Sequence, residues 1–337
     1  MSVSFSVLDL APVVDGSTVS QALNQSIALA VAVEEMGYRR FWLAEHHNMP
    51  GIASSSPAVM IGQVARATST IRVGSGGVML PNHAPLVVAE QFGTLDALFP
   101  DRIDLGIGRA PGTDQVTAHA LRRAAAALSA DDFPQELAQL RAFLSGQFPP
   151  EHPYSAITAV PGEGAELQMW MLGSSTYSAQ VAGLLGLPFA FARHFAPAAT
   201  YDALAVYRDS FRPGVLDEPY AMVTVTVVAA GDDATAREQA APHRLAMARL
   251  REGGRPGRYP TVAQALAEPL TARQEATIGD SASAWIVGGR DRVAAELRSL
   301  IDSTGANEIM VSSMLADFDA RLESHRIVAD ILAPAHA

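Results

Sequence analysis

The chain has 337 residues, of which 49% are hydrophobic and 18% charged, enough apolar material for a large core and too little charge for an intrinsically disordered protein. A formal net charge of −11, with no Lys/Arg cluster longer than pairs such as Arg122-Arg123, excludes a nucleic-acid partner that would need a basic face. The absence of cysteine excludes disulfides, thiolate metal sites, iron–sulfur clusters and a cysteine nucleophile.

In chain order, short β-rich runs alternate with longer segments of helical spacing. Strands are expected at residues 4–8, 40–44, 71–78, 102–108, 168–172, 188–192, 221–229 and 308–312. The first of these, in MSVSFSVLDLAP, is broken by Asp9 and has no basic leader, so it reads as a strand and not a signal peptide. Helices are expected at 19–36, 57–68, 86–98, 175–185, 198–211, 233–249 and 318–332, with Ser17, Ser56 and Asp317 as N-caps and Gly37 and Gly186 just past helix ends. Eight such units define a (β/α)₈ TIM barrel, expected as a single domain over 1–337. Two connections are longer than the rest. Residues 110–167 carry helical pieces near 118–128 and 135–144, and 251–289 are rich in Gly, Pro and charge; both read as lids or interfaces. The longest near-apolar run, 220–230, is half a membrane span and carries threonines on alternate positions, so a cytoplasmic protein with no membrane segment is expected.

Barrel enzymes place their chemistry at the C-terminal ends of the strands. The second strand ends Glu45-His46-His47-Asn48, a carboxylate and two imidazoles suited to proton handling, although capping of loop backbone uses the same groups. Successive residues of an extended strand point to opposite faces, so Glu45, His46 and His47 do not all converge if the chain stays extended. The third strand carries Gly76-Gly77, glycines that mark a bulge, an unusual peptide or a surface approached by a ligand. The fourth ends Gly106-Ile107-Gly108-Arg109-Ala110-Pro111; proline stands where a dinucleotide fingerprint needs its third glycine, which leaves an arginine suited to phosphate or carboxylate. The fifth runs Gly173-Ser174-Ser175-Thr176-Tyr177-Ser178 directly into a helix, whose free N–H groups and dipole make a phosphate seat. Asp232-Asp233 and Asp317 follow the seventh and eighth strands and would repel an anion there, so the seat belongs to strands four and five. The remaining strand ends offer mainly Ser, Gly and Arg, and no metal site is expected.

The runs FWLAEHHN and IRVGSGGVMLPNHAPLVVAEQFGTLDALFPDRIDLGIGR, followed more loosely by GSST, GLPFAF and TGANEIMVSS, resemble the bacterial luciferase-like monooxygenases, closely from about residue 5 to 114. The resemblance implies reduced FMN at the strand mouths and dioxygen as co-substrate. Carried over by position, it places Glu45 and His46 near the flavin ring as catalytic groups, with His47 and His83 behind them. It makes Gly76-Gly77 the unusual peptide backing the ring. Arg109, Gly173, Ser174, Ser175 and Ser178 become the phosphate ligands. It also implies a homodimer, and leaves open whether NAD(P)H binds the chain or a separate flavin reductase delivers the flavin. Luciferase itself has cysteine in place of Gly108 and an acid in place of Ser174, which argues against light emission and long-chain aldehydes. Two rival readings keep the fold: a deazaflavin F420-dependent hydride-transfer enzyme, and a non-catalytic flavin-binding subunit.

Overall fold

In the computed structural model, which describes residues 3–110, 113–121, 132–253 and 257–333, parallel strands close on themselves inside a ring of helices. The strands are β1 (Ser4–Asp9), β2 (Arg40–Leu43), β3 (Arg72–Met79), β4 (Ile103–Gly108), β5 (Gln168–Gly173), β6 (Phe189–Phe191), β7 (Ala221–Ala230), β8 (Ile286–Gly289) and β9 (Glu308–Ser312). Pairing runs β1 to β7 in order, then β7 to β9 and β9 back to β1, which closes the eight-stranded (β/α)₈ barrel. β8 lies outside the barrel. It pairs with Val227–Ala230, the overhanging end of the long β7.

The helices are α1 (Val19–Glu35), α2 (Pro57–Ala67), α3 (Pro85–Leu98), α4 (Gln115–Leu121), α5 (Phe133–Ser145), α6 (Thr176–Leu184), α7 (Thr200–Ser210), α8 (Asp233–Arg251), α9 (Val262–Ala267), α10 (Ala272–Ala282), α11 (Arg290–Thr304) and α12 (Phe318–Leu332). Gly37 and Gly186 adopt the left-handed backbone expected past a helix end. The cap of α1 is Thr18, not Ser17: Thr18 and Gln21 form a reciprocal capping box, while the Ser17 hydroxyl turns back to the carbonyl of Val14. Ser56 stands at the cap position of α2 without a side-chain bond, and Asp317 caps α12. The part of the expected 118–128 helix beyond Leu121 lies outside the described residues.

Within 251–289, read from the sequence as a lid or interface, stand α9, α10 and β8. Thr261–Gln264 and Thr271–Gln274 each form a capping box, so the short helices carry their own start signals. β8 reads simply IVGG, too short and glycine-rich to register as a strand before its partner is known.

Inward-facing residues fill the barrel in layers. At the base, where the strands begin, sits a buried ionic ring. Arg40 Nη1 donates to Asp104 Oδ2 (2.7 Å) and its Nε to Glu308 Oε1 (3.1 Å). Arg72, Trp42, Tyr220 and Ser6 complete the bonds to the two carboxylates. Both carboxylates are fully buried and the Arg40 side chain is 1% exposed, so the ring is tolerable only because nearly every lone pair is answered. Above it lies an apolar plug of Leu8, Trp42, Trp170, Ala190, Met222 and Met310, with the two indoles edge to face at 5.2 Å. The outward faces of the same strands, such as Val223, Val225 and Val227 on β7, pack under the helices. The plug closes the barrel from below, and a cavity stands above it, at the C-terminal ends.

Candidate active site

A cavity of about 700 Å³ occupies that mouth. Of the residues singled out from the sequence, His46, Gly76, Gly77, Arg109, Gly173, Ser174, Ser175 and Ser178 all line it. Thr224 and Thr226 line it as well, the inward members of the alternating threonines of β7.

Glu45 does not face the cavity. The chain leaves the strand geometry after Leu43, and the Glu45 side chain turns to the end of β3 and the turn beyond it while His46 lines the mouth. The Glu45 carboxylate is fully buried and accepts from His47 Nε2 and His83 Nε2, both at 2.9 Å, from the Met79 N–H at 3.1 Å and from Asn82 Nδ2 at 3.3 Å. Burial pushes its pKa up, but the bonds from His47 and His83 outweigh that and bring it down to about 2. A carboxylate can only accept, so both imidazoles present an Nε2 proton to it. Glu45 therefore fixes His47, His83 and the turn after β3. The His46 N–H donates to the Ser54 carbonyl at 2.9 Å, which holds the backbone behind its ring.

The floor is built by close approach. The peptide Gly76–Gly77 is cis. A Cβ on Gly76 would come within 2.6 Å of Leu8 Cδ1, and one on Gly77 within 2.8 Å of the Gly106 carbonyl oxygen. The register between β3 and β4 slips here, between Ser75 and Val78, and the Ser75 hydroxyl bridges the gap to the backbone of Gly106. The bulge presents bare backbone to the cavity.

Arg109 and the start of α6 come together at the mouth. The guanidinium carbon of Arg109, at the end of β4, lies 4.4 Å from the centroid of Tyr177, in the first turn of α6. Among the described residues no carboxylate pairs with Arg109, so its charge is available to a ligand. Ser175 occupies the cap position of α6 without a side-chain cap bond. By contrast Asp232 and Asp317 cap α8 and α12 with their own carboxylates, which fills the corresponding positions after β7 and β9. Gly173 is glycine because α6 rests on it: a Cβ there would meet Ser178 Cβ at 2.3 Å.

The sequence reading missed part of the wall. His194 follows β6, and His243 stands midway along α8; both line the cavity. His194 had the readable signal of a polar residue just beyond a strand end, whereas His243, buried in a helical pattern, had none. The segment 257–260 folds back from the insertion: the Tyr259 N–H donates to the Val13 carbonyl at 2.9 Å, and its hydroxyl donates to the carbonyl of Met314. On the other side Thr113 and Asp114 tie the β4 loop to the backbone of His47 and the amide of Asn48. Among the described residues no cluster could hold a metal ion, and no helix is long and apolar enough to cross a membrane.

The family model described as luciferase-like monooxygenase matches residues 3–308, and the chain belongs to that family. It is 44% identical to a luciferase-like monooxygenase of Escherichia coli K12 over 331 residues, covering 98% of this chain and 97% of the relative. The solved structure of apo-MsnO8 is 39% identical, covers 98% of each chain and superposes with a TM-score of 0.87. More distant structures share the fold alone. They include the FMN complex of the oxygenating constituent of 3,6-diketocamphane monooxygenase from Pseudomonas putida (17% identical over 99% of each chain, TM-score 0.74). An F420-dependent secondary alcohol dehydrogenase is 14% identical, covers 99% of this chain and all of its own, and has a TM-score of 0.72.

Proposed function

We propose that the protein is a flavin-dependent monooxygenase that holds FMN in the barrel mouth and oxygenates a small organic substrate. The observation that carries this reading is an arginine with no carboxylate partner among the described residues, beside a helix start rich in hydroxyls whose cap residue makes no side-chain cap bond. The bare backbone at Gly76–Gly77 suits close approach by a flat ring. The FMN complex known for a monooxygenase of this fold supports the choice of cofactor.

Reduced flavin held there supplies the electron pair that activates dioxygen for transfer of one oxygen atom to the substrate. Arg109, Ser174, Ser175 and the first turn of α6 bind the phosphate. Gly173 and Ser178 set the distance between β5 and that turn. His46, turned into the cavity, exchanges protons with the reacting groups. Glu45 acts through its neighbours: it holds His47 and His83 and does not itself meet the substrate. Leu8, Leu10, Met310 and Met314 exclude water from the interior side of the mouth. Delivery of reduced flavin by a separate reductase belongs to the same proposal.

Anaerobic titration of the purified protein with reduced FMN and with reduced F420 tests the cofactor. Binding of FMN at least about tenfold tighter, a difference of about 1.4 kcal/mol, supports the reading. The reverse preference would assign the site to hydride transfer without oxygen.

A further inference from the structure

The wall of the cavity formed by β6, α8 and the 257–260 segment does not belong to the phosphate seat. Around the barrel β2 and β6 are four places apart, so His194 faces His46 across the mouth. His243 stands beside them on α8, its ring tilted against Trp285 at 4.4 Å. Nδ1 of His194 and Nδ1 of His243 are both buried and have no hydrogen-bond partner among the described residues. Such atoms carry a desolvation cost that a ligand group can relieve.

Both rings are uncharged near neutral pH. Burial pushes His194 down to about 4, opposed by its backbone bond to Thr224 and reinforced by His243 and His46; burial does the same to His243. Beside them the wall carries the apolar side chains of Met49, Ile52, Ala246, Met247, Leu250 and Met314, with the hydroxyls of Thr224 and Thr226 on β7. Of the arginines described there, Arg249 pairs with Glu268 at 2.6 Å and Arg258 donates to the carbonyl of Ser17. Asp114, the acid at the rim, is held by Asn48 and Thr117.

We propose that this wall is the substrate subsite, that its ligand is an uncharged and largely apolar molecule, and that His194 and His243 each offer Nδ1 to its one polar group, such as a carbonyl. A neutral imidazole can donate or accept there, so the pair orients a dipole without demanding a charge. A carboxylate set against these two neutral imidazoles would lose its hydration without gaining a charge partner from them. The inference rests on the flavin reading only in placing the cofactor at the other wall.

The test is calorimetric titration of the FMN-saturated protein with octan-2-one and with octanoate, flavin absorbance reporting cofactor occupancy. Octan-2-one is expected to bind saturably and at least tenfold more tightly than octanoate. The double variant His194→Leu, His243→Leu should weaken octan-2-one at least tenfold, while His194→Asn, His243→Asn, which keeps hydrogen-bonding atoms near the same positions, should stay within threefold. Equal or tighter binding of octanoate, absence of saturable ketone binding, or full ketone affinity in the leucine variant would each overturn the proposal. If the leucine variant fails to fold, the wild-type comparison of the two ligands still decides. If FMN does not occupy the protein, the cofactor reading fails separately, and the same titrations on the flavin-free protein decide the subsite.

Discussion

Glu45 and His83 meet at 2.9 Å, joining the end of β2 to the turn that follows β3, and His47 meets the same carboxylate oxygen at the same distance. This buried acceptor separates two roles that adjacent residues Glu45 and His46 would otherwise share. Glu45→Ala leaves imidazole N–H groups and the Met79 amide without their acceptor, and should destabilise the protein by about 3 kcal/mol. His46→Ala removes a partly exposed cavity side chain and should cost about 1 kcal/mol or less while abolishing oxygen transfer. Denaturant unfolding and turnover measured on both variants check the split. Comparable stability loss in the two would remove the distinction. Because the Glu45 carboxyl titrates lower in the fold than in the unfolded chain, its stabilisation is complete above the ordinary value of 4.5 and is lost as pH falls toward 2. Glu45→Gln should therefore flatten the acid limb of the stability profile.

The ionic ring at the barrel base gives a second expectation. Arg40 answers Asp104 and Glu308 at once, and both carboxylates are fully buried. Arg40→Met leaves buried Glu308 without its cation and Asp104 with Arg72 alone, and should cost about 3–5 kcal/mol. Thermal unfolding measures it. A change under about 1 kcal/mol would show that the ring contributes little.

His325 tests pH linkage away from the site. It lies buried on α12 against Tyr38, and burial pushes its pKa down to about 3, with nearby Arg321 acting in the same direction. Below about 6.5 the unfolded chain takes up this proton and the native protein does not, so stability present above that pH is lost as pH falls. His325→Leu should remove up to about 1.4 kcal/mol per pH unit from the slope between pH 6 and 4. An unchanged slope, by urea unfolding at several pH values, would show that His325 is protonated in the native state.

Most of the barrel was legible because a strand covered on both faces must be apolar, and its helix must carry a 3.6-residue stripe. All eight barrel strands fall within a residue or two of where alternation and glycine punctuation place them. What failed to show was structure that depends on a distant partner. β8 exists only because β7 overhangs the barrel by four residues, and Tyr259 lines the mouth only because its backbone pairs with Val13. The approach of Arg109 to Ser174-Ser175 was readable since they follow neighbouring strands, β4 and β5. Glu45 and His46 are adjacent in sequence, and only the departure of the chain from strand geometry after Leu43 sends the one to a buried bond set and the other to the cavity. His243 was invisible: an imidazole one turn from Gln239 on α8 looks like any half-buried helix position.

The central claim is that Arg109 and the start of α6 grip a phosphate. Parallel titrations of wild type and Arg109→Ala with FMN and with riboflavin, which differ only by that phosphate, test it most directly. Wild type should prefer FMN by at least about 2 kcal/mol, in the range of a charge-assisted pair, and Arg109→Ala should erase most of that preference while leaving riboflavin affinity nearly unchanged. Wild type binding the two flavins equally, or Arg109→Ala keeping the full preference for FMN, would contradict the account.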